Sequence, residues 1–156
     1  MRSKDLAKRF REVILDGKSI AFTNIKEQIS DLTMKQATTK ISSLNTLAAL
    51  TFHLNYYVHG VLEVFDGGEL TIRDKFSFDM EPINSEEDWE TLRTSFFANA
   101  EKFGLYIDNM SDEQLESPFV KEDYGSYRTN INAMIEHCYY HFGQMVIIKK
   151  MVLMGE

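Results

Sequence analysis

Apolar residues recur every three or four positions over most of the chain, which is the spacing of one face of an α-helix. A first helical arm is predicted over residues 4–32, with an interruption near Gly17. A second helix is predicted over residues 44–65, because Ser43 is a favoured N-cap residue and a glycine pair follows the apolar stripe. The segment between them, TMKQATTKI, is polar and β-branched, and we interpret it as a connection.

Two further helices are predicted in the second half of the chain. Ser85 followed by three acidic residues is a strong helix start, and an apolar stripe follows from Trp89. A short helical turn is predicted after Ser111, and the last helix over residues 130–154. The segments TIRDKFSFDMEPIN and SPFVKEDYGSY are predicted as loops. Four long helical segments joined by long loops predict one all-α domain over residues 1–156, built as a four-helix bundle.

Charge and cysteine content narrow the functional classes. The net charge is −7, with 17 acidic and 5 basic residues between Glu63 and Asp123, so nucleic acid is disfavoured as the main partner. No apolar run approaches the roughly 20 residues of a membrane span, and the charged N-terminus does not resemble a signal peptide. The lone cysteine, Cys138, excludes a disulfide within the chain. We therefore expect a cytoplasmic protein with no nucleic-acid or membrane partner.

The four histidines are concentrated on the second and last predicted helices. Projected at about 100° per residue, His137 and His141 lie on the apolar face of the last helix, one turn apart. His53 lies on an inward face of the second helix, whereas His59 lies about 120° away from that face and is expected on the flank or surface. Three histidines are therefore predicted to point into the bundle.

Three inward imidazoles have two physical interpretations. Imidazole nitrogens bind Zn, Ni, Cu and Fe(II), and three protein nitrogens with an open fourth position are typical of a catalytic metal site. A single inward histidine is more often a core residue hydrogen-bonded to a neighbour. Burying two in one turn without a partner or a metal would cost roughly 1–3 kcal/mol for each unpaired group, which favours the metal site without excluding a buried polar network.

Weaker candidates lie near the histidines. Gln144 lies about 60° from His141 and could orient a ligand or a bound water, and Tyr57 supplies a phenol group; helix packing explains both equally well. Cys138 could be a fourth ligand but fits a plain buried thiol better. No residue is identified as a general base. The spacings HExxH, ExxH and GxSxG and a P-loop are absent, which excludes the enzyme classes that depend on them.

Two stretches carry a resemblance to a known family. EHCYYHFGQM in the last helix, together with LAALTFHLNYYVHG in the second, resembles the DinB/YfiT-like superfamily, and the helix order matches over essentially the whole chain. The resemblance implies a four-helix bundle in which three histidines hold a divalent metal ion, which we expect to be Zn, Ni or Fe. Carried over residue by residue, those ligands are His53, His137 and His141.

The resemblance also implies a function. Characterised members are thiol-dependent transferases and isomerases that use mycothiol, bacillithiol or glutathione, and others are described as metal-dependent hydrolases. We therefore expect a metal-dependent enzyme of hydrolase or thiol S-transferase type, with a small-molecule substrate or thiol. The alternative is a non-catalytic metal- or ligand-binding bundle of stress physiology, with the histidines as a buried polar network. A cleft that reaches the histidines favours the enzyme, and a closed apolar bundle favours the alternative.

A homodimer is expected because the predicted helices carry more apolar faces than one bundle covers. DinB-like proteins also pair through their helices, which the resemblance carries over to this chain. The expected interface leaves the histidine cleft open and uses residues of three helices, namely Leu6, Phe10, Val13, Ile14, Phe52, Leu62, Phe65 and Phe97.

Overall fold

Residues 2–155 form an all-α structure in the computed structural model, and no strand occurs among them. The predicted all-α class is therefore confirmed. Within this range seven α-helices follow one another: α1 Ser3–Arg11, α2 Ile25–Ile29, α3 Met34–Thr38, α4 Leu47–Phe65, α5 Glu86–Asn109, α6 Asp112–Glu116 and α7 Tyr127–Met154. Single 3₁₀ turns, Asp74–Phe76 and Glu122–Tyr124, lie in the two loops before α5 and α7.

The first helix is extended by one π-helical turn, Glu12–Asp16, and stops at Gly17. A Cβ at Gly17 would lie 2.4 Å from the Cα of the first residue of that turn, so this close approach requires glycine. The predicted interruption near Gly17 is correct. The break is longer than predicted, because Ala21 and Phe22 have φ angles of 54° and 58° and the chain becomes helical again only after Asn24, which caps α2.

The segment TMKQATTKI contains helix α3, which corrects its interpretation as a connection. The Thr33 hydroxyl accepts a hydrogen bond from the Gln36 N–H over 3.2 Å, and the Gln36 side chain accepts one from the Thr33 N–H over 3.0 Å. This reciprocal capping box satisfies two backbone donors that a short helix otherwise leaves unpaired. The T-x-x-Q spacing of this capping box is present in the sequence, so the start of α3 could have been predicted from it.

Helix α4 begins three residues later than the sequence predicts, at Leu47. Its N-cap is Thr46, whose hydroxyl accepts a hydrogen bond from the Ala49 N–H over 3.1 Å; the predicted cap, Ser43, lies in the preceding turn. The predicted end of the helix is correct, because Gly67 follows with a φ of 90°, a left-handed conformation that favours glycine.

Serine caps begin both of the longest helices. The Ser85 hydroxyl accepts a hydrogen bond from the Asp88 N–H over 3.1 Å, which confirms the predicted start of α5. Ser126 does the same for the Thr129 N–H over 3.2 Å, so α7 begins three residues earlier than the predicted position, 130. The additional turn adds backbone hydrogen bonds beside the loop that precedes α7.

The four long helices share one apolar core. α4 packs against α5 and α7, and α1 packs against the same two helices. Phe10 of α1 stacks on Phe103 of α5 with ring centroids 4.4 Å apart, and buried Trp89 donates its indole N–H to the main-chain oxygen of Leu32 over 2.9 Å. This arrangement holds α4 beside α7, and those two helices carry all four histidines.

The apolar residues proposed from the sequence as a dimer surface are mostly part of this core. Leu6, Phe10, Val13, Ile14 and Leu62 are each at most 2% exposed. Phe52, Phe65 and Phe97 are partly buried. Helical periodicity identifies these faces as apolar but does not show which neighbour covers them, and here the neighbour is the chain itself. The five buried residues are therefore not available as a dimer surface, and the homodimer itself stays a prediction.

The helices among residues 2–155 include none that combines the length and apolar character needed to cross a membrane.

Candidate metal centre

The imidazoles of His53, His137 and His141 meet between α4 and α7. The Nε2 atom of His137 lies 3.1 Å from Nε2 of His53 and 3.0 Å from Nε2 of His141. One nitrogen from each ring lies within 4.8 Å of the other two. His53 and His141 are 6% and 7% exposed, and His137 is half-buried. The structure therefore brings together the three histidines that the sequence singles out.

The tautomer of His53 is fixed by the loop before α5. Its Nδ1 atom lies 3.2 Å from the main-chain oxygen of Ser77, and a carbonyl oxygen only accepts hydrogen bonds. Nδ1 therefore carries the proton, and the neutral ring presents a lone pair at Nε2. That lone pair points toward the other two histidines, where a metal ion would lie.

His141 has the same arrangement with a different partner. Its Nδ1 atom lies 2.6 Å from Oε1 of Gln144, one turn further along α7. The amide oxygen accepts the Nδ1 proton, so the Nε2 of His141 also presents a lone pair. Gln144 thus orients His141, which is the role that the sequence analysis left open beside helix packing.

Hydrogen bonding alone does not satisfy the three converging nitrogens when the rings are neutral. Two lone pairs, from His53 and His141, face Nε2 of His137, which offers at most one proton. At least one lone pair then lacks a donor. A cation would accept all three lone pairs, with His137 in the Nδ1-protonated tautomer.

The nitrogen separations fit a metal site. Three nitrogens that bind one metal at roughly 2.0–2.2 Å lie about 2.8–3.1 Å from one another in octahedral geometry and about 3.3–3.6 Å in tetrahedral geometry. The two observed separations from His137, 3.0 and 3.1 Å, fall within the octahedral range. The residues present therefore fit a mononuclear site with coordination positions left for other ligands.

Burial keeps the three imidazoles in their ligand form. It is the largest cause that lowers the pKa of each ring below the ordinary 6.5, and for His137 the charges that His141 and His53 would carry lower the pKa further, to about 4. Neutral imidazole is the form that binds metals. All three rings are therefore available as ligands at neutral pH.

The loop before α5 forms one wall of the site. Phe78 stacks on His53 with ring centroids 4.1 Å apart and planes 11° from parallel. The Tyr57 ring lies 5.1 Å from both His53 and His137, and its hydroxyl donates to a carboxylate oxygen of Asp74 over 2.7 Å. Sequence reasoning missed Ser77, Phe78 and Asp74, because the path of a long loop has no periodicity that would place its side chains.

A groove of about 370 Å³ reaches His137 beside α7. His137, Tyr57 and Asn130 are its polar lining residues, and the rest of the lining is apolar: Val61, Leu70, Ile72, Phe119, Ala133 and Met134. Gly60 makes room for one wall, because a Cβ there would lie 2.2 Å from Cγ2 of Ile72. The site is therefore reached by a cleft of small-molecule size.

Two other sequence candidates lie outside the site. His59 has a side chain 61% exposed and lies 3.8 Å from Glu63, in agreement with its predicted surface position. Cys138 is fully buried and is not part of the histidine cluster, and burial raises the pKa of its thiol to about 12. Cys138 is therefore a neutral core thiol rather than a fourth ligand.

No family model matches this chain, and neither the curated proteins nor the solved structures contain a significant match to it. The resemblance to the DinB/YfiT-like superfamily stays a prediction, and the functional argument depends on the site itself.

Proposed function

We propose that this chain is a metal-dependent enzyme of the DinB/YfiT-like superfamily, in which α1, α4, α5 and α7 form the four-helix bundle. His53, His137 and His141 hold one divalent ion, Zn, Ni or Fe. The observation that carries the proposal is the convergence of three Nε2 atoms. Two of them present lone pairs, because Ser77 and Gln144 accept the Nδ1 protons of His53 and His141. A buried polar network would leave at least one of those lone pairs without a donor.

The proposed chemistry follows from three neutral histidine ligands and a coordination position that a small molecule can reach. A bound divalent ion supplies Lewis acidity, which lowers the pKa of a coordinated water or thiol toward neutrality. The groove beside His137 admits a small molecule, and its apolar lining orients the part that does not react. This access supports the enzyme over the non-catalytic alternative. The reaction class is hydrolysis or thiol transfer, as the family resemblance implies.

Proton handling is assigned to a pair of residues beside the groove. Burial, followed by its hydrogen bond to Asp74, raises the pKa of Tyr57 above its ordinary 10.0, so the phenol stays protonated and holds the Asp74 carboxylate. Asp74 is exposed, so its carboxylate is in contact with solvent. In this proposal Asp74 accepts a proton from the activated nucleophile, and Tyr57 positions the carboxylate.

An activity screen tests the assignment. Metal-loaded protein is assayed with small ester, amide and thiol-transfer substrates, beside His137→Ala, Asp74→Asn and, as a surface-carboxylate control, Glu69→Gln. We expect turnover to be lost in His137→Ala and lowered roughly 10²–10⁴-fold in Asp74→Asn at unchanged metal content. Glu69→Gln should match the wild type. Full metal occupancy with no turnover in any of these reaction classes would support the non-catalytic alternative instead.

A further inference from the structure

The outward face of α7 exposes large apolar side chains between residues 140 and 154. Seven positions spaced alternately three and four residues apart are all exposed, and we name them the α7 outer stripe: Ala133, Glu136, Tyr140, Gly143, Ile147, Lys150 and Met154. Tyr140, Ile147 and Met154 are 66%, 60% and 84% exposed. The spacing is that of the contact seam between two packed helices.

Helix α5 shows what an ordinary solvated face looks like in this protein. Among the exposed positions of α5, Leu105 is the one large apolar residue. The other exposed positions are polar, charged or alanine. The α7 outer stripe instead exposes three large side chains, and Met151 and Leu153 beside it are 40% and 44% exposed. Several large exposed apolar side chains on one part of a helix are typical of a contact site.

Gly143 lies near the middle of the stripe. A Cβ at this position would meet no atom within 4 Å, so nothing in the packing of the described chain requires glycine there. Glycine weakens the interior of a helix, and alanine would fit without any contact. A glycine on an outward helix face does, however, let the backbone of another helix approach closely.

The charges on the stripe are arranged symmetrically around that glycine. Glu136 precedes Gly143 by seven residues and Lys150 follows it by seven, and neither makes an ion pair within residues 2–155. If two antiparallel copies of α7 cross at a two-fold axis through Gly143, each Glu136 faces Lys150 of the other copy. A face that complements its own charges in this way fits a second copy of the same chain.

We propose that the α7 outer stripe is the interface of a homodimer, with α7 antiparallel to α7 of a second copy and Gly143 at the crossing point. This surface replaces the buried residues expected from the sequence. It does not depend on the proposed function, because it uses none of the metal ligands. Ala133 also lines the groove beside His137, so the second copy borders the entrance to the site.

The first test is the oligomeric state of the wild-type protein and of single-site variants. Light scattering at micromolar concentration should give twice the 18.1 kDa of one chain. Ile147→Glu should give a monomer, while Leu105→Glu on α5, which also exposes an apolar side chain, should leave the dimer intact. Circular dichroism confirms that both variants remain folded. A monomeric wild-type protein, or a dimer unaffected by Ile147→Glu, would overturn the proposal.

Charge exchange tests the register. Glu136→Lys and Lys150→Glu should each raise the dissociation constant of the homodimer roughly tenfold or more, because like charges then face each other twice. An equimolar mixture of the two variants should recover dimerisation, since the two lysines in the stripe of one variant then face the two glutamates in the stripe of the other. If the mixture associates no better than the single variants, α7 does not pair in this register and the proposed interface is wrong.

Discussion

Nδ1 of His53 lies 3.2 Å from the main-chain oxygen of Ser77, a residue of the loop between α4 and α5. This contact decides which nitrogen of His53 faces His137, so a loop that supplies no ligand controls the chemistry of the site. A backbone oxygen is unaffected by most substitutions of its own side chain. The orientation of His53 therefore depends on the path of the loop, whereas that of His141 depends on one side chain, Gln144.

Gln144 offers the direct test of such an orienting contact. Gln144→Leu should weaken metal binding roughly 10–100-fold, because the Nδ1 proton of His141 loses its acceptor. Gln144→Glu keeps an acceptor and should bind as well as the wild type or better. Competitive titration with a chelating dye measures both affinities. Gln114→Leu, at an exposed position of α6, is the matched control. Equal affinities in Gln144→Leu and Gln114→Leu would remove the orienting role.

Cys138 should be irrelevant to metal binding. Cys138→Ala is expected to keep full metal content, because the buried thiol lies outside the histidine cluster and its pKa is raised to about 12. The thiol should also resist a disulfide reagent such as DTNB until urea unfolds the chain. Rapid labelling of the folded protein, or loss of metal in Cys138→Ala at unchanged secondary structure, would contradict this assignment.

Acid should destabilise the metal-free protein through His137. The folded pKa of His137 is about 4 against 6.5 in the unfolded chain, so the unfolded state binds more protons between those values. The stability contributed by neutral His137 is complete above about pH 6.5 and is lost as the pH falls toward 4. In EDTA, the urea concentration at the unfolding midpoint should therefore decrease as the pH is lowered from 7.5 to 5.

Two variants show whether this pH dependence belongs to His137. His137→Gln removes the titrating group, so its urea midpoint should change less over the same pH range. His59→Gln removes an exposed histidine and should follow the wild type. A wild-type midpoint that rises on acidification would mean that the site stabilises the charged rings.

Gly60 should be replaceable only when Ile72 is shortened. Gly60→Ala alone puts a Cβ 2.2 Å from Cγ2 of Ile72 and should cost roughly 1–3 kcal/mol in the free energy of unfolding. An Ile72→Ala background removes the 2.2 Å contact and leaves one of 3.2 Å to the Cβ of residue 72, so the same change should destabilise much less, and the better helix propensity of alanine offsets part of the remaining cost. Urea unfolding of the four proteins measures the coupling. Additive effects would show that the two residues do not meet.

The parts of this fold that follow from sequence are those that helical periodicity determines. His53, His137 and His141 could be placed on inward faces because a helix fixes the direction of each side chain. The start of α4 could not be placed as well, because Ser43 and Thr46 are both acceptable caps and tertiary packing selects between them.

The paths of the loops, and the neighbours that cover each apolar face, could not be predicted in the same way. Ser77, Phe78 and Asp74 reach the site through a loop whose path depends on tertiary contacts rather than on a repeat. Likewise, the apolar character of Phe10 and Ile14 was readable, but not that this chain buries both of them. A hydrophobic pattern identifies an inward face without identifying the partner that covers it.

The central claim is that His53, His137 and His141 hold one metal ion, and elemental analysis tests it most directly. Protein purified without a nickel column, beside His137→Ala and His59→Ala, is analysed by inductively coupled plasma mass spectrometry. We predict about one equivalent of Zn, Ni or Fe per chain in the wild type and in His59→Ala, and almost none in folded His137→Ala. Equal metal content in the two variants, or none in wild-type protein even after incubation with each ion, would contradict the account.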